Sequence, residues 1–245
     1  MAEPQLAGQT VVVLGGSAGI GLATARRARA EGANVVITGR DPERLARAAA
    51  DVGASTTAPF DVADETALHQ FFDQPSQQLD GPIGHVLVSA GGPYYAPFAE
   101  LDVADAMGYV SRSLALPLNV ARFASPRMGP GGSLTFIGGT GARRPGKGLS
   151  IIGAVSAAAP ALVANLALEV APVRVNLIAP GFVDTPLSAA LLGTGLDARR
   201  EELRRSLPVH RVTEPSDVAA LAVHLMVNPV LTGATYDIDG GQQLL

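Results

Sequence analysis

The apolar residues of this chain fall in short runs that alternate between two periodicities, with glycine, proline or aspartate at most of the joins. Thr10 to Leu14 reads TVVVL and stops at glycines. A run apolar at successive positions predicts a strand buried on both faces, as in a parallel sheet covered by helices. Ile20 to Ala30, rich in alanine and arginine, predicts a helix stopped by Gly32. The alternation continues with strands expected at 34–38, 54–59 and 83–89, helices at 42–51 and 64–72, and a long helical stretch from about 102 to 128. Strands at 133–138 and 173–179 bracket an alanine-rich helix at about 151–170, and a helix over 215–227 precedes a last strand at 234–238. Strand and helix alternating through short connections specify an α/β fold, a doubly wound parallel sheet with helices on both faces. No linker, composition break or internal repeat divides the sequence, so residues 1–245 are expected to form a single domain.

Composition narrows the partners. Hydrophobic residues make up 47% and charged residues 16%, enough apolar material for a substantial core and too little charge for a disordered chain. A net charge of −4 and few aromatics, with no basic stripe, give no expectation of nucleic acid binding. The absence of cysteine removes disulfides, thiol catalysis and sulfur-ligated metals together. Four scattered histidines, none in an H-E-x-x-H spacing, give no expected metal site. The opening MAEPQLAGQT carries no basic, apolar, cleavable leader, and no uninterrupted apolar run reaches 18 residues, so the expectation is a cytoplasmic protein without a membrane partner. Of the 18 basic residues one is lysine, Lys147.

The first strand leads into Gly15-Gly16-Ser17-Ala18-Gly19-Ile20-Gly21, which opens directly into a helix. Glycines there let backbone approach a pyrophosphate closely, and the helix N-terminus offers free N–H groups and the positive end of its dipole. The spacing is G-x3-G-x-G, not the commoner G-x-G-x-x-G, and no Lys-Ser/Thr follows to make a Walker loop. A dinucleotide is the expected ligand.

That spacing resembles the short-chain dehydrogenase/reductase family, and the likeness runs nearly the whole length. Asp61-Val62 is similar to the family's adenine-contacting pair, and Ser89-Ala90-Gly91 stands where the family usually has Asn-Asn-Ala-Gly. Ala179-Pro180-Gly181-Phe182-Val183-Asp184-Thr185-Pro186 is similar to the segment whose backbone and threonine hold the nicotinamide carboxamide. The resemblance implies a Rossmann-type fold and a cofactor site made of Gly15, Ser17, Gly19, Ile20, Gly21, Asp61, Val62, Ala90, Gly91, Pro180, Gly181, Val183 and Thr185. It also implies a homotetramer or homodimer, and a substrate lid over about 187–212.

The end of the second strand bears on the choice of cofactor. An NAD enzyme usually places an acid there to accept bonds from both ribose hydroxyls. Here the sequence is Thr38-Gly39-Arg40-Asp41. Gly39 occupies the acid's place, and the Arg40 guanidinium suits the 2′-phosphate of NADP. Asp41, followed by Pro42, reads as a helix N-cap. NADP is expected in preference to NAD.

The resemblance implies a catalytic tetrad of asparagine, serine, tyrosine and lysine, and carrying it over residue by residue finds none of them. The tyrosine position falls on Ile152, the lysine position on Ser156, the serine position on Gly139 with Thr140 next, and the asparagine position on Ser113. Isoleucine cannot transfer a proton. No tyrosine lies between Tyr109 and Tyr236, and Lys147 lies nine residues before the lysine position. The catalytic residues are therefore unknown at this stage. Pro117 and Pro160 each follow one of these serines by four residues, which frees the Ser113 and Ser156 carbonyls and suggests ordered water on them. Thr140, Tyr94 and Tyr95 are further candidates, as are Arg143, Arg144 and Lys147 for an anionic substrate; Ile151, Ile152 and Leu191 would make an apolar wall.

The leading reading is an NADP(H)-dependent oxidoreductase with a rearranged site acting on a small apolar carbonyl or alcohol. A non-catalytic dinucleotide-binding protein, such as a sensor or partner subunit, is one alternative. An enzyme doing non-redox chemistry in the same pocket is another, and fold alone does not choose among the three.

Overall fold

A computed structural model describes residues 5–73 and 82–245. Among the described residues seven strands, β1 (Thr10–Leu14), β2 (Asn34–Gly39), β3 (Thr56–Pro59), β4 (Ile83–Val88), β5 (Met128–Ile137), β6 (Arg174–Pro180) and β7 (Thr235–Ile238), form one sheet in the order β3-β2-β1-β4-β5-β6-β7. Every pairing is parallel. The helices are α1 (Gly19–Ala30), α2 (Pro42–Val52), α3 (Glu65–Asp73), α4 (Val103–Ala124), α5 (Ser150–Glu169), α6 (Pro186–Leu192), α7 (Leu196–Ser206) and α8 (Pro215–Val227).

The pleat of β1 explains why its run is apolar throughout. Val12 and Leu14 point into a core with Phe71, Phe72, Val120 and Leu166, while Val11 and Val13 point into another with Ala25, Leu45, Val223 and Leu225. Alternate side chains thus feed layers on opposite faces of the sheet, α3, α4 and α5 on one and α1, α2 and α8 on the other. Both faces are covered, as the sequence pattern requires.

Two boundaries differ from the sequence reading. The long helix stops at Ala124, and β5 already begins at Met128, after a single 3-10 turn over Ser125–Arg127. Pro126 in that turn has no N–H with which to continue the helix. The segment after Thr185 resolves into α6 and α7, joined at Gly193, whose φ of +50° suits glycine. The expectation that no stretch is long and apolar enough to cross a membrane also needs correction. By length and composition α5 qualifies, with a mean hydropathy of 2.0. Ser156 and Asn165 interrupt its apolar run in sequence without making the helix polar. In this fold α5 lies on β6 and beside α4.

Candidate functional site

Strand order reverses at β1, which has β2 on one side and β4 on the other. In an open parallel sheet such a reversal opens a crevice beyond the strand ends, because the flanking connections depart to opposite faces. The glycine loop fills this place, and its packing shows why glycine is required. A Cβ on Gly21 would lie 2.1 Å from the Gly15 carbonyl oxygen, and one on Gly15, whose φ is +90°, would lie 2.9 Å from the Ala90 nitrogen. The Gly15 N–H donates to the Thr38 hydroxyl at 3.3 Å, and the Ser89 N–H donates to the Leu14 carbonyl at 2.9 Å. The loop is thereby clamped between β2 and β4.

Three features suit this crevice to an anionic ligand that lies close to backbone. The N-terminus of α1 has no side-chain cap and no acid in its first turn, so its N–H groups are left for an anion. Gly91, at φ +111°, has open space where a side chain would stand. Across the crevice, Gly19 comes within 3.4 Å of the Thr185 methyl, measured from the place of its absent Cβ. The β1 loop and the β6 loop therefore face one another closely. At the end of β2, the bare Gly39 leaves room occupied by Ser17, whose Oγ lies 3.0 Å from the position of a Cβ on residue 39. Arg40 is exposed and 4.0 Å from Asp61, a loose surface pair that leaves its guanidinium available. Asp41 caps α2 by accepting from the Arg44 N–H at 3.0 Å, and this hydrogen bond holds its carboxyl below the usual carboxylate range.

Other residues named from the sequence divide by what their side chains touch. Val62 and Val183 are buried in the two cores, so their side chains serve packing. The Thr185 hydroxyl caps α6, accepting from the Ser188 N–H at 3.1 Å. Pro180 ends β6, and its carbonyl accepts from the Thr140 N–H at 3.2 Å, which ties the loop after β5 to the loop after β6. Asp61 accepts from the Ala63 N–H at 3.0 Å. Ile20 packs partly buried against the α1 core.

The loop after β5 lies on α5. A Cβ on Gly141 would stand 3.2 Å from the Ser156 Oγ and 3.7 Å from the Ile152 Cγ1. Both prolines sit inside unbroken helices, Pro117 in α4 and Pro160 in α5. The Ser113 hydroxyl bonds back to the Tyr109 carbonyl at 2.8 Å. Tyr94 packs on Tyr109 of α4 with ring centres 5.4 Å apart, and burial raises the pKa of Tyr95 and of Tyr109. The Ala96 N–H donates to the Gly148 carbonyl at 3.3 Å, joining the tyrosine loop to the loop before α5. On the other side, a Cβ on Gly92 would stand 3.8 Å from the Leu187 Cδ1 of α6.

The expectation of an arginine pair for an anionic substrate does not hold for Arg143. Its guanidinium is committed to Asp237 on β7 through bonds of 3.0 and 2.9 Å. Arg144 and Lys147 are solvated in the same loop. The sequence reading also missed Arg200 on α7, which grips Asp184 through two bonds and reaches Asp197 through a third. The Arg200–Asp197 spacing is a local helix pair, but the 16-residue separation from Asp184 leaves no periodic trace. Two surface cavities lie elsewhere, one beside Glu202 and Arg205, and one of about 530 Å³ between α3 and α4.

Comparison with known proteins agrees with this arrangement. A family described as enoyl-(acyl carrier protein) reductase matches residues 15–243. The NADP-dependent (R)-specific alcohol dehydrogenase of Lentilactobacillus kefiri is 32% identical over 97% of this chain and 97% of its own length. The structure of the MalC reductase/Diels-Alderase from Malbranchea aurantiaca superposes with a TM-score of 0.90 at 25% identity, covering 99% of each chain. A small-chain dehydrogenase in complex with NADPH superposes with a TM-score of 0.82 at 27% identity, covering 97% of this chain and 99% of that one. The chain belongs to the short-chain dehydrogenase/reductase family of oxidoreductases, which bind a nicotinamide dinucleotide.

Proposed function

We propose that this protein is a cytoplasmic NADP(H)-dependent oxidoreductase whose usual acid–base positions have been vacated, acting on a small, apolar, carbonyl-type substrate or its reduced partner. The observation that carries the cofactor assignment is the pairing of an empty Gly39 with Arg40 at the end of β2, beside an uncapped α1 N-terminus. Backbone N–H groups at Gly19, Ile20 and Gly21 bind the pyrophosphate, with Gly15 shaping the turn. Arg40 and Ser17 take the 2′-phosphate, and Asp61 and Val62 border the adenine. Ala90 and Gly91 leave room for ribose. Pro180, Gly181, Val183 and Thr185 hold the carboxamide, chiefly through backbone. A bound dinucleotide supplies or accepts the hydride; the protein's part is position and electrostatics.

Titration with NADPH and NADH, read by nicotinamide fluorescence, tests this. Tighter binding of NADPH is expected, and binding of neither would overturn the proposal.

The resemblance to a reductase/Diels-Alderase structure, together with an α5 that carries no ionisable side chain before Glu169, favours a second reading in which the pocket does non-redox chemistry. Binding of NADPH with no oxidation across a broad carbonyl and imine panel would favour that reading, or a purely binding role.

We also propose that a second copy covers the outer faces of α4 and α5, giving a homodimer or homotetramer. Met107 and Leu118 of α4 and Leu168 of α5 are exposed in the single chain. Light scattering showing a monomer at micromolar concentration would count against this.

A further inference from the structure

The short segment from Asp237 to Gln243 braces three separate parts of the molecule. Asp237 takes the Arg143 guanidinium of the β5 loop. Cβ atoms on Gly240 and Gly241 would strike Val209 and Pro208, at 2.8 and 2.7 Å, in the stretch after α7. The third contact is with the β6 loop. The Gly181 N–H donates to the Ile238 carbonyl at 3.2 Å, and the Phe182 N–H donates to the Gln242 Oε1 at 2.9 Å. A Cβ on Gly181 would lie 2.7 Å from the Asp239 Cβ and 2.7 Å from the Gln242 Oε1, so glycine lets the two backbones nest. Buried Asp239 fixes the turn that presents Gln242. Its carboxylate accepts from the Gly241 N–H at 2.8 Å and the Gln243 N–H at 2.9 Å, and its carbonyl accepts from the Gln242 N–H at 3.1 Å. The Phe182 ring packs with Leu203, Leu207 and Val212, so residue 182 is held at its backbone by Gln242 and at its side chain by the small core beside α7.

The amides of the β6 loop divide accordingly. Gly181, Phe182 and Asp184 donate inside the fold, Asp184 to the Thr213 carbonyl at 3.0 Å. The N–H of Val183, a buried residue, has no acceptor among the described residues. A buried amide left unpaired costs stability, which a ligand that accepts from it would return.

We propose that Gln242 is a positioning residue for the nicotinamide half of the cofactor: by fixing the Phe182 N–H it keeps the neighbouring Val183 N–H free for the carboxamide. This rests on the dinucleotide reading given above and adds to it a residue 60 positions from the loop it steadies. The adenine half is assigned to the glycine loop and the end of β2, whereas the Gln242 side chain bonds to Phe182. Loss of Gln242 therefore affects one half of the dinucleotide and spares the other.

The test compares NADPH with adenosine 2′,5′-bisphosphate, which carries the adenine half and the 2′-phosphate but no nicotinamide. Gln242→Leu keeps most of the side chain's bulk and removes the acceptor. By calorimetry it is expected to weaken NADPH by about five- to tenfold, the effect of one net hydrogen bond, and to leave the bisphosphate within about twofold. Gln242→Glu keeps an acceptor and should recover most of the NADPH affinity. In the unaltered protein, amide exchange followed by NMR should find Phe182 protected throughout, and Val183 gaining protection with NADPH but not with the bisphosphate. Unchanged NADPH affinity in Gln242→Leu overturns the proposal, as does an equal loss of both ligands. So does a Gln242→Glu protein that binds no better than Gln242→Leu, or a Val183 amide whose protection does not depend on the nicotinamide half. The exchange measurement needs no variant, so it decides the matter even where Gln242→Leu fails to fold. An unaltered protein that binds neither ligand overturns the dinucleotide reading instead.

Discussion

The Arg200 guanidinium on α7 holds the Asp184 carboxylate through hydrogen bonds of 2.8 and 2.7 Å, so α7 is pinned to the loop that leaves β6. Asp184 stands between Val183 and Thr185, and Thr185 caps α6. One arginine therefore couples α7 to the segment proposed to hold the carboxamide. Its pKa is raised by the hydrogen bonds to Asp184 and Asp197, as expected of a guanidinium between carboxylates.

Replacing it should loosen α6 and α7 more than it destabilises the whole. For Arg200→Met the expected loss of global stability is small, because the pair is partly solvated. Hydrogen exchange across 186–206 should speed up, with no change in β1 or β4. Unchanged exchange in α7 would show that α6 and α7 are held by packing alone.

His85 predicts a pH dependence. Its Nε2 lies 2.8 Å from the Gln9 Oε1 and its Nδ1 lies 2.8 Å from the Ser133 Oγ, an arrangement that suits the neutral ring. Burial, with the Arg174 charge in second place, lowers its pKa from 6.5 to about 4. The unfolded chain therefore binds the proton more readily than the folded one. Stability from this group is complete above about pH 6.5 and falls as the pH drops toward 4, by about 3 kcal/mol in all. Urea unfolding from pH 7.5 down to pH 4.5 should show this decline, and His85→Gln should flatten that part of it.

Cofactor choice should be reversible at the end of β2. Arg40→Ala is expected to weaken NADPH by about tenfold, roughly 1.4 kcal/mol, and to leave NADH unchanged. Gly39→Asp should reverse the preference, with Ser17 turning aside to admit a Cβ that would otherwise stand 3.0 Å from its Oγ. Fluorescence titration with each dinucleotide reads both outcomes.

Arg174 is a buried cation with no carboxylate partner among the described residues. Its NH1 donates to the Leu225 carbonyl at 2.6 Å and the Leu231 carbonyl at 3.2 Å, and its NH2 donates to Met226 at 2.7 Å and Gly131 at 3.3 Å. Leu225 and Met226 lie in the last turn of α8, where carbonyls lack helical donors and the dipole favours positive charge. Arg174→Met strands these carbonyls in a dry setting and should cost about 3 kcal/mol, measured by denaturant unfolding. Arg174→Lys should recover part of the loss.

How far these features were legible depends on the range over which they act. The apolar run at Thr10–Leu14, the glycine loop after it and the Asp41-Pro42 cap are local, and each appears in the structure where the pattern puts it. The end of α4 was misread because alanine and phenylalanine continue its helical pattern to Ala124, and Pro126 alone marks the stop. Arg143 was read as a ligand-binding residue because its partner, Asp237, is 94 residues away. Val62 and Val183 stand in the expected cofactor site by motif, and their side chains pack in the two cores, which no motif records.

The alternation of elements, and with it the parallel sheet, is written in local order, because a strand's pleat and a helix's turn impose their periods on neighbouring residues. The glycine loop is local in the same way, since positive φ and close backbone approach demand glycine wherever they occur. Tertiary structure decided which charges remain available. Arg143 is bound to Asp237, Arg200 to Asp184 and Arg174 to four carbonyls, while Arg40 has only a loose contact with Asp61. An ion pair across a fold depends on where separate elements come to rest, and no short-range period records that. That α5 carries no ionisable group before Glu169 is written in the sequence; that the β5 loop settles on it, Gly141 against Ile152 and Ser156, depends on where two separate elements come to rest.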